Sequence, residues 1–407
     1  MYQPTKSCLD HASISLPDGF RFDEITPTRR GTAPAPTPPL GVLSNFTGTF
    51  VGTGFNLIFR PNSGPPTTTT FPNPVTPPPP TPPSENVLEL NLTKETLSFS
   101  SPLGNVPNRG LEGQNDIFLN GVPYVQQISD VANPETGKAD GAAVAIHFEP
   151  GLWMHVPATT TTPVLGASLV RMASIPHGTT INAQTLEPTT TIVGPPNIPA
   201  VSITPFVIGT SPPHLITFAS QTAANSVTPR IPQDLTKFIA AGTITQAILN
   251  DPNTVLRDAI AGQTITETIV FRVATAPQSP EFGGGTDNIA FLLGNSAGTA
   301  ANADAVNMAA TFWIETVEHK IVIPIFKAGD PPLKVPAQPA KAGLPAPVFH
   351  VEPPREIPEP ITITVKSTQI QYSQVVFLNF AGLTWPHVSV ATLVPSEPVS
   401  VPPSAWT

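Results

Sequence analysis

Proline occupies 54 of the 407 positions in this chain, and no other feature limits its fold as much. The usual share is about 5%, so prolines are more than twice as frequent here as in an ordinary domain. Each one removes a backbone donor and breaks a helix interior, which prevents long helices from dominating. The Thr and Val residues between them favour strands. Short strands joined by Pro-rich connections follow, and the expected class is mostly β. The length allows one large domain or two ordinary ones with a sizeable core.

Charge excludes some partners. The formal net charge is −9 and the Lys and Arg residues are scattered singly, so nucleic acid is not an expected partner. Cys8 is the one cysteine. It permits no internal disulfide and no Cys-rich zinc finger, and it suits a reducing compartment. The first residues show no charged segment followed by an apolar run, and nowhere do eighteen apolar residues follow one another. A cytoplasmic protein with no membrane partner is expected, and a homo-oligomer stays open.

Along the chain, residues 1–40 end in a Pro-rich run and read as an arm. The segment Phe46–Arg60 interleaves Phe46, Phe50, Phe55, Leu57 and Phe59 with small residues. It is strand-like, and its glycines mark a bend or a close approach by another group. Residues 61–84 and 331–360 are Pro-rich loops. Strands are expected at Val87–Leu92, Glu95–Ser100, Ala143–Phe148, Leu152–Val156, Leu165–Ser174 and Ile198–Ile208. Further strands are expected at Glu267–Ala274, Asn288–Leu293, Ala309–Ile325, Ile361–Val365 and Gln369–Thr392. Residues 233–261 read as an insertion of two short helices, begun by Asp234 and Asn253. No fixed repeat period is present. One closed barrel over residues 41–395, with its last strand paired to its first and a tail at 396–407, accounts for strands at both ends.

The strongest catalytic signatures are absent: there is no GxSxG, no GxxxxGK[ST] and no HExxH. Gly283-Gly284-Gly285-Thr286-Asp287 reads as a turn between strands and not as a phosphate loop. Of the eight histidines, His147, His155, His177 and His387 are the candidates. Period 2 in Gly382–Thr392 puts Trp385, His387, Ser389 and Ala391 on one face. A histidine between a Trp and small residues has space beside it, as a ligand to haem iron needs. A buried, hydrogen-bonded histidine is the other reading. Trp153 and His155 share a face in one strand, and Arg171 projects from the next. An imidazole and a guanidinium near a peroxide could move its proton and stabilise the departing oxygen. His177 stands in a turn that could line a barrel mouth. Each of these also has a plain structural reading, as a rim, an ion pair or a turn.

Two segments carry a resemblance. Phe46-Thr-Gly-Thr-Phe-Val-Gly-Thr-Gly54 resembles the opening strand of nitrobindin-type haem proteins, with Phe50 where the family has Trp. His387-Val-Ser-Val390 is similar to the family's closing strand, where a His followed by Val is the axial ligand. Gly151–Val156 and Ala173–Thr180 are similar in order to its middle strands. The resemblance implies a closed antiparallel lipocalin-like barrel of roughly ten strands holding haem b, with His387 on the iron. GGGTDNIAFLLGN and ATFWIETV are similar to larger haem-binding barrels, some described as peroxidases. The expected activity is peroxidase-like, with hydrogen peroxide and a small organic reductant as partners. His155, Arg171 and His177 are the catalytic candidates, and Trp385, Phe50 and Trp153 would line the cofactor. The rivals are a haem barrel that binds nitric oxide without turnover, and a barrel that holds an apolar molecule without haem.

Overall fold

The computed structural model describes residues 37–60, 87–162, 164–175, 177–185, 189–227, 230–276, 284–289, 303–341, 343–380 and 382–406. Cys8, most of the arm, the loop 61–84 and residues 290–293 of the expected strand Asn288–Leu293 lie outside them.

Ten antiparallel strands close into a barrel. They are β1 (Gly48–Arg60), β2 (Val87–Phe99), β3 (Ile117–Asp130), β4 (Val144–Val156), β5 (Ser168–Ile175), β6 (Thr179–Gln184), β7 (Thr264–Ala274), β8 (Asp304–Ile323), β9 (Ile361–Phe380) and β10 (Leu383–Pro395). Around the barrel the order is β1-β10-β9-β8-β7-β6-β5-β4-β3-β2, and β2 returns to β1. The last strand does pair with the first, from Phe50↔Pro395 to Leu57↔Val388. Glycine makes this seam possible: a Cβ on Gly54 would stand 2.1 Å from the Val390 carbonyl oxygen.

The residues facing inward change character along the axis. One end is filled by Phe46, Phe99, Trp153, Phe271 and Phe312, whose rings stack or meet edge to face, and the short 3-10 helix Gly41–Asn45 lies against β4 there. Such edge-to-face clusters bury large area with defined geometry. The opposite end stays open between the ends of β1 and β2, the β5–β6 turn and the β9–β10 hairpin.

The helical insertion covers the outer wall. Three helices form, α1 (Thr236–Ala241), α2 (Gln246–Asn250) and α3 (Thr254–Ile260), where the sequence predicts two. Their Phe238, Ile248, Leu249 and Leu256 join one core with Leu57, Leu88, Leu90 and Val388, so β1, β2 and β10 are buried on both faces. α1 is capped at Leu235, one residue after Asp234, whose carboxylate accepts from the Thr236 amide at 2.8 Å, and Asn253 begins α3 without a side-chain cap. β8 and β9 run on past the barrel wall. There Ile321, Ile323, Ile363 and Val365 pack against Phe349 and Val351, which belong to a small sheet of Leu333–Pro336, Val348–Val351 and Val399–Ser400. The Pro-rich stretch 331–360 therefore carries two strands, and the tail supplies a third.

Candidate functional site

The open end of the barrel holds a cavity of about 450 Å³, within the range of small-molecule sites. Ile58, Ile175, Ala305, Val376 and Leu378 form apolar wall, while Asn56, Asn91, Gln126, Tyr372, Gln374 and Ser389 form a polar floor. The floor is bonded laterally: Asn91 Nδ2 donates to Asn56 Oδ1 at 3.1 Å, and Asn56 Nδ2 donates to Ser389 Oγ at 2.6 Å. At the entrance Arg60 pairs with Glu89 at 3.0 Å. Three histidines, His147, His177 and His387, line this one cavity.

His387 owes its setting to the barrel seam. The β1–β10 ladder stops at Leu57↔Val388, and beyond it the Leu57 carbonyl needs a new donor. His387 Nδ1 supplies it at 2.7 Å. A carbonyl only accepts, so Nδ1 carries the hydrogen and Nε2 has the free lone pair. Nε2 has no hydrogen-bond partner among the described residues. Burial pushes the imidazole down to about 4, aided by His147 and His177 and opposed by the bond to Leu57. The ring is therefore neutral at pH 7. A histidine whose rear nitrogen is tied to a carbonyl, with the other nitrogen unprotonated, is set up as a metal ligand.

His147 faces the cavity in step with Glu149 two residues on, and a bulge beside it brings Ile146 to the same side. The β3–β4 register passes from Ile128↔His147 to Ser129↔Ala145 and skips Ile146; Ile146 and His147, though adjacent in sequence, both line the cavity. Bulges re-aim side chains in this way. The Ile146 carbonyl accepts from His177 Nε2 at 3.2 Å, and the His147 and His177 ring centroids are 5.7 Å apart. His147 Nε2 lies 3.2 Å from Glu149 Oε2.

Beneath the floor is a buried charged network. Arg171 donates from Nη2 to Glu149 Oε1 at 2.6 Å, from Nε to the Tyr124 hydroxyl at 2.8 Å, and from Nη1 to Gln374 Oε1 at 2.6 Å. Burial alone would raise the Glu149 carboxyl, but the Arg171 charge and the bonds from His147 and Tyr124 bring it down to about 2. Alongside, Tyr372 donates to Glu95 Oε2 at 2.6 Å, and burial raises the Glu95 pKa against that bond.

The expected site residues separate. His387 and His177 reach the cavity, His177 at its exposed rim. Arg171 does not: it lies below the floor, with its guanidinium also over the Tyr124, Trp153 and Phe312 rings, and Gln374 stands between it and the open space. His155 is at the closed end beside Gly41, where burial lowers its pKa and Nδ1 has no partner among the described residues. Trp153 and Phe50 belong to the aromatic plug and are absent from the cavity wall. Trp385 stacks on Phe380 and packs against Phe59 and Phe218, and its indole nitrogen donates to the Phe380 carbonyl, so it too is outside the wall. His155, Arg171 and His177 therefore do not converge. Sequence reasoning left out the His147–Glu149 pair, although period 2 in His147-Phe-Glu149 places both on one face.

No family model matches the chain, and neither a curated protein nor a solved structure is significantly similar to it. Among the described residues no helix is long and apolar enough to cross a membrane, and no group of three or more His, Cys, Asp or Glu is placed to hold a metal ion.

Proposed function

We propose that this chain binds haem b in the open end of the barrel, with His387 as axial ligand, and that the remaining space takes a small ligand such as hydrogen peroxide or nitric oxide. The observation that carries the reading is the His387 Nδ1–Leu57 carbonyl bond of 2.7 Å, which leaves a neutral imidazole with its Nε2 lone pair free in a cavity. A metal held by protein alone needs several donors together, whereas haem brings four nitrogens and asks the protein for one imidazole. The apolar wall of Ile58, Val376 and Leu378 suits a flat macrocycle, and Ala303 and Ala305 leave room beside it. The similarity of the first and last strands to nitrobindin-type proteins supports the same reading.

Bound haem b supplies an iron able to bind or activate small oxygen and nitrogen ligands. The chain's own contribution begins with His387, which holds its ring orientation through Leu57. Gln374 and Tyr372 offer hydrogen bonds from the floor. Arg171 acts from beneath, through Gln374 and Glu149, and does not touch a ligand in the cavity. Peroxidase-like turnover with an organic reductant needs a proton carrier at the cavity, and neither His155 nor Arg171 is placed to be one.

Titrating the purified chain with haemin tests the reading. A saturable Soret band at one haemin per chain is expected, shifted or lost in His387→Ala, with far-UV circular dichroism verifying that the variant is folded. Absence of the band from the wild-type chain overturns the proposal. A second reading, a barrel that holds an amphipathic organic molecule without iron, draws on the bonded amide floor of Asn56, Asn91 and Gln126. A retained organic molecule in native mass spectrometry of a chain that takes up no haemin would favour it.

A further inference from the structure

Two imidazoles line the cavity in opposite electrical settings. Behind His387 is a neutral carbonyl, and behind His147 is a carboxylate. Glu149 is fully buried and kept ionised by Arg171, so it accepts, and the shared hydrogen sits on His147 Nε2. That leaves the lone pair on His147 Nδ1, which has no hydrogen-bond partner among the described residues. A proton arriving at Nδ1 creates an imidazolium against a fixed negative charge, and this is what lets a carboxylate-backed histidine act as a base. His387 has no such support. The two rings thus differ in the group bonded behind them, a carbonyl for His387 and a carboxylate for His147, and only the carboxylate can balance a proton arriving at the far nitrogen.

We propose that His147 Nδ1 is the proton acceptor for a small weak acid bound in the cavity. On binding of an acid H–L, the H–L bond breaks, its proton forms the N–H bond at Nδ1, and the electron pair stays on L, which is bound as the anion. Release reverses the transfer. The ligand class is a small neutral acid such as hydrogen peroxide or hydrogen cyanide, and the inference rests on the cavity being the ligand site of the reading above. His177 is a poorer acceptor: its Nε2 donates to the Ile146 carbonyl at the exposed rim, with no carboxylate behind it. The charged and titratable groups around His147 are Glu149 on its own strand, Glu95 on β2, Tyr124 on β3, Arg171 on β5, His177 after β5, Tyr372 on β9 and His387 on β10, with the Arg60–Glu89 pair at the entrance.

The test has two arms on the full chain. In the first, wild type and His147→Gln are loaded with haemin to equal Soret absorbance and mixed with cyanide. Glutamine can still donate to Glu149 but cannot take a proton. Association in the variant should slow by about a hundredfold near pH 7, the usual worth of a positioned proton carrier. Rates within about twofold of wild type overturn the proposal. In the second arm, 15N shifts of the histidines in the haem-free wild type are read at about pH 8, where histidine is ordinarily neutral. His147 should be the Nε2–H tautomer and His387 the Nδ1–H tautomer. Finding His147 as Nδ1–H overturns the proposal whatever the haem result. Lack of a Soret band in wild type sinks the haem reading alone, and the tautomer then decides.

Discussion

Glu149 Oε1 and Arg171 Nη2 meet at 2.6 Å in the middle of the barrel, both side chains almost wholly withdrawn from solvent. The pair divides the interior, with the aromatic plug on one side and the cavity floor on the other. It also explains why a guanidinium that the sequence offers as a catalytic group never reaches open space. All three of its nitrogens are committed, to Tyr124, Glu149 and Gln374.

Removing one partner of such a pair leaves an uncompensated buried charge, which typically costs about 3–5 kcal/mol. Arg171→Met should therefore lower stability by about that much in chemical denaturation. The double variant Arg171→Met/Glu149→Leu should recover most of the loss, because no charge is then stranded. An Arg171→Met variant as stable as wild type would mean the pair contributes nothing net.

The depressed pKa of His387 makes a pH statement. In the unfolded chain a histidine takes up its proton near 6.5, while in the folded barrel His387 does so only near 4. Between those values the unfolded state binds more protons, so stability falls as pH drops from about 6.5 to about 4, by up to about 3 kcal/mol. His387→Phe should flatten that part of the stability–pH curve. Urea midpoints measured from pH 4 to pH 7 check it.

Glu315 works in the opposite direction. It is fully buried on β8, one oxygen accepting from Gln369 at 2.5 Å and the other without a partner among the described residues, and burial raises its pKa to about 8 against the bond from Gln369. The unfolded chain ionises this carboxyl near 4.5, so stability falls as pH rises from about 4.5 to about 8. Glu315→Gln should stabilise the protein by a few kcal/mol at pH 8 and change little at pH 4. Equal melting temperatures for the two proteins at pH 8 would contradict this.

Much of the barrel could be read from the chain because its closing strands alternate cleanly. Phe46–Arg60 shows the period and the glycines that closure needs, whereas Gln369–Thr392, expected as one strand, is the end of β9, a hairpin turn and most of β10 with His387 on it. β3 escaped notice because Gly121 and Pro123 interrupt it and its inward residues, Tyr124 and Gln126, are polar. Ile198–Ile208 misleads for the converse reason. Ile198 and Ile203 are buried, but they belong to an irregular segment packed into the core, of which only Phe206–Val207 pairs as strand. The site was harder to read than the fold. The bulge that brings Ile146 to the cavity beside His147 depends on where β3 pairs, and period 2 cannot reveal it. Arg171 and Trp153 are register partners, and only the closed barrel shows that this level lies below the cavity.

The barrel seam gives the most direct test of the fold. β1 and β10 join through eight register pairs, and at Gly54 the facing backbone is so near that a Cβ would stand 2.1 Å from the Val390 oxygen and 2.9 Å from the Ala391 Cα. Neither neighbour is the end of a flexible side chain, so relief requires the strands to part. Parting them breaks the ladder that ends at Leu57 and removes the carbonyl that orients His387. Gly54→Val should therefore cost more than about 4 kcal/mol, the range reserved for severe lesions, or leave no folded protein. Gly166→Val is the control: a Cβ there meets nothing within 4 Å, and its effect should stay within about 0.5 kcal/mol. Thermal denaturation of the two variants decides it, and a Gly54→Val chain that melts with wild type would show that the seam is not closed as described.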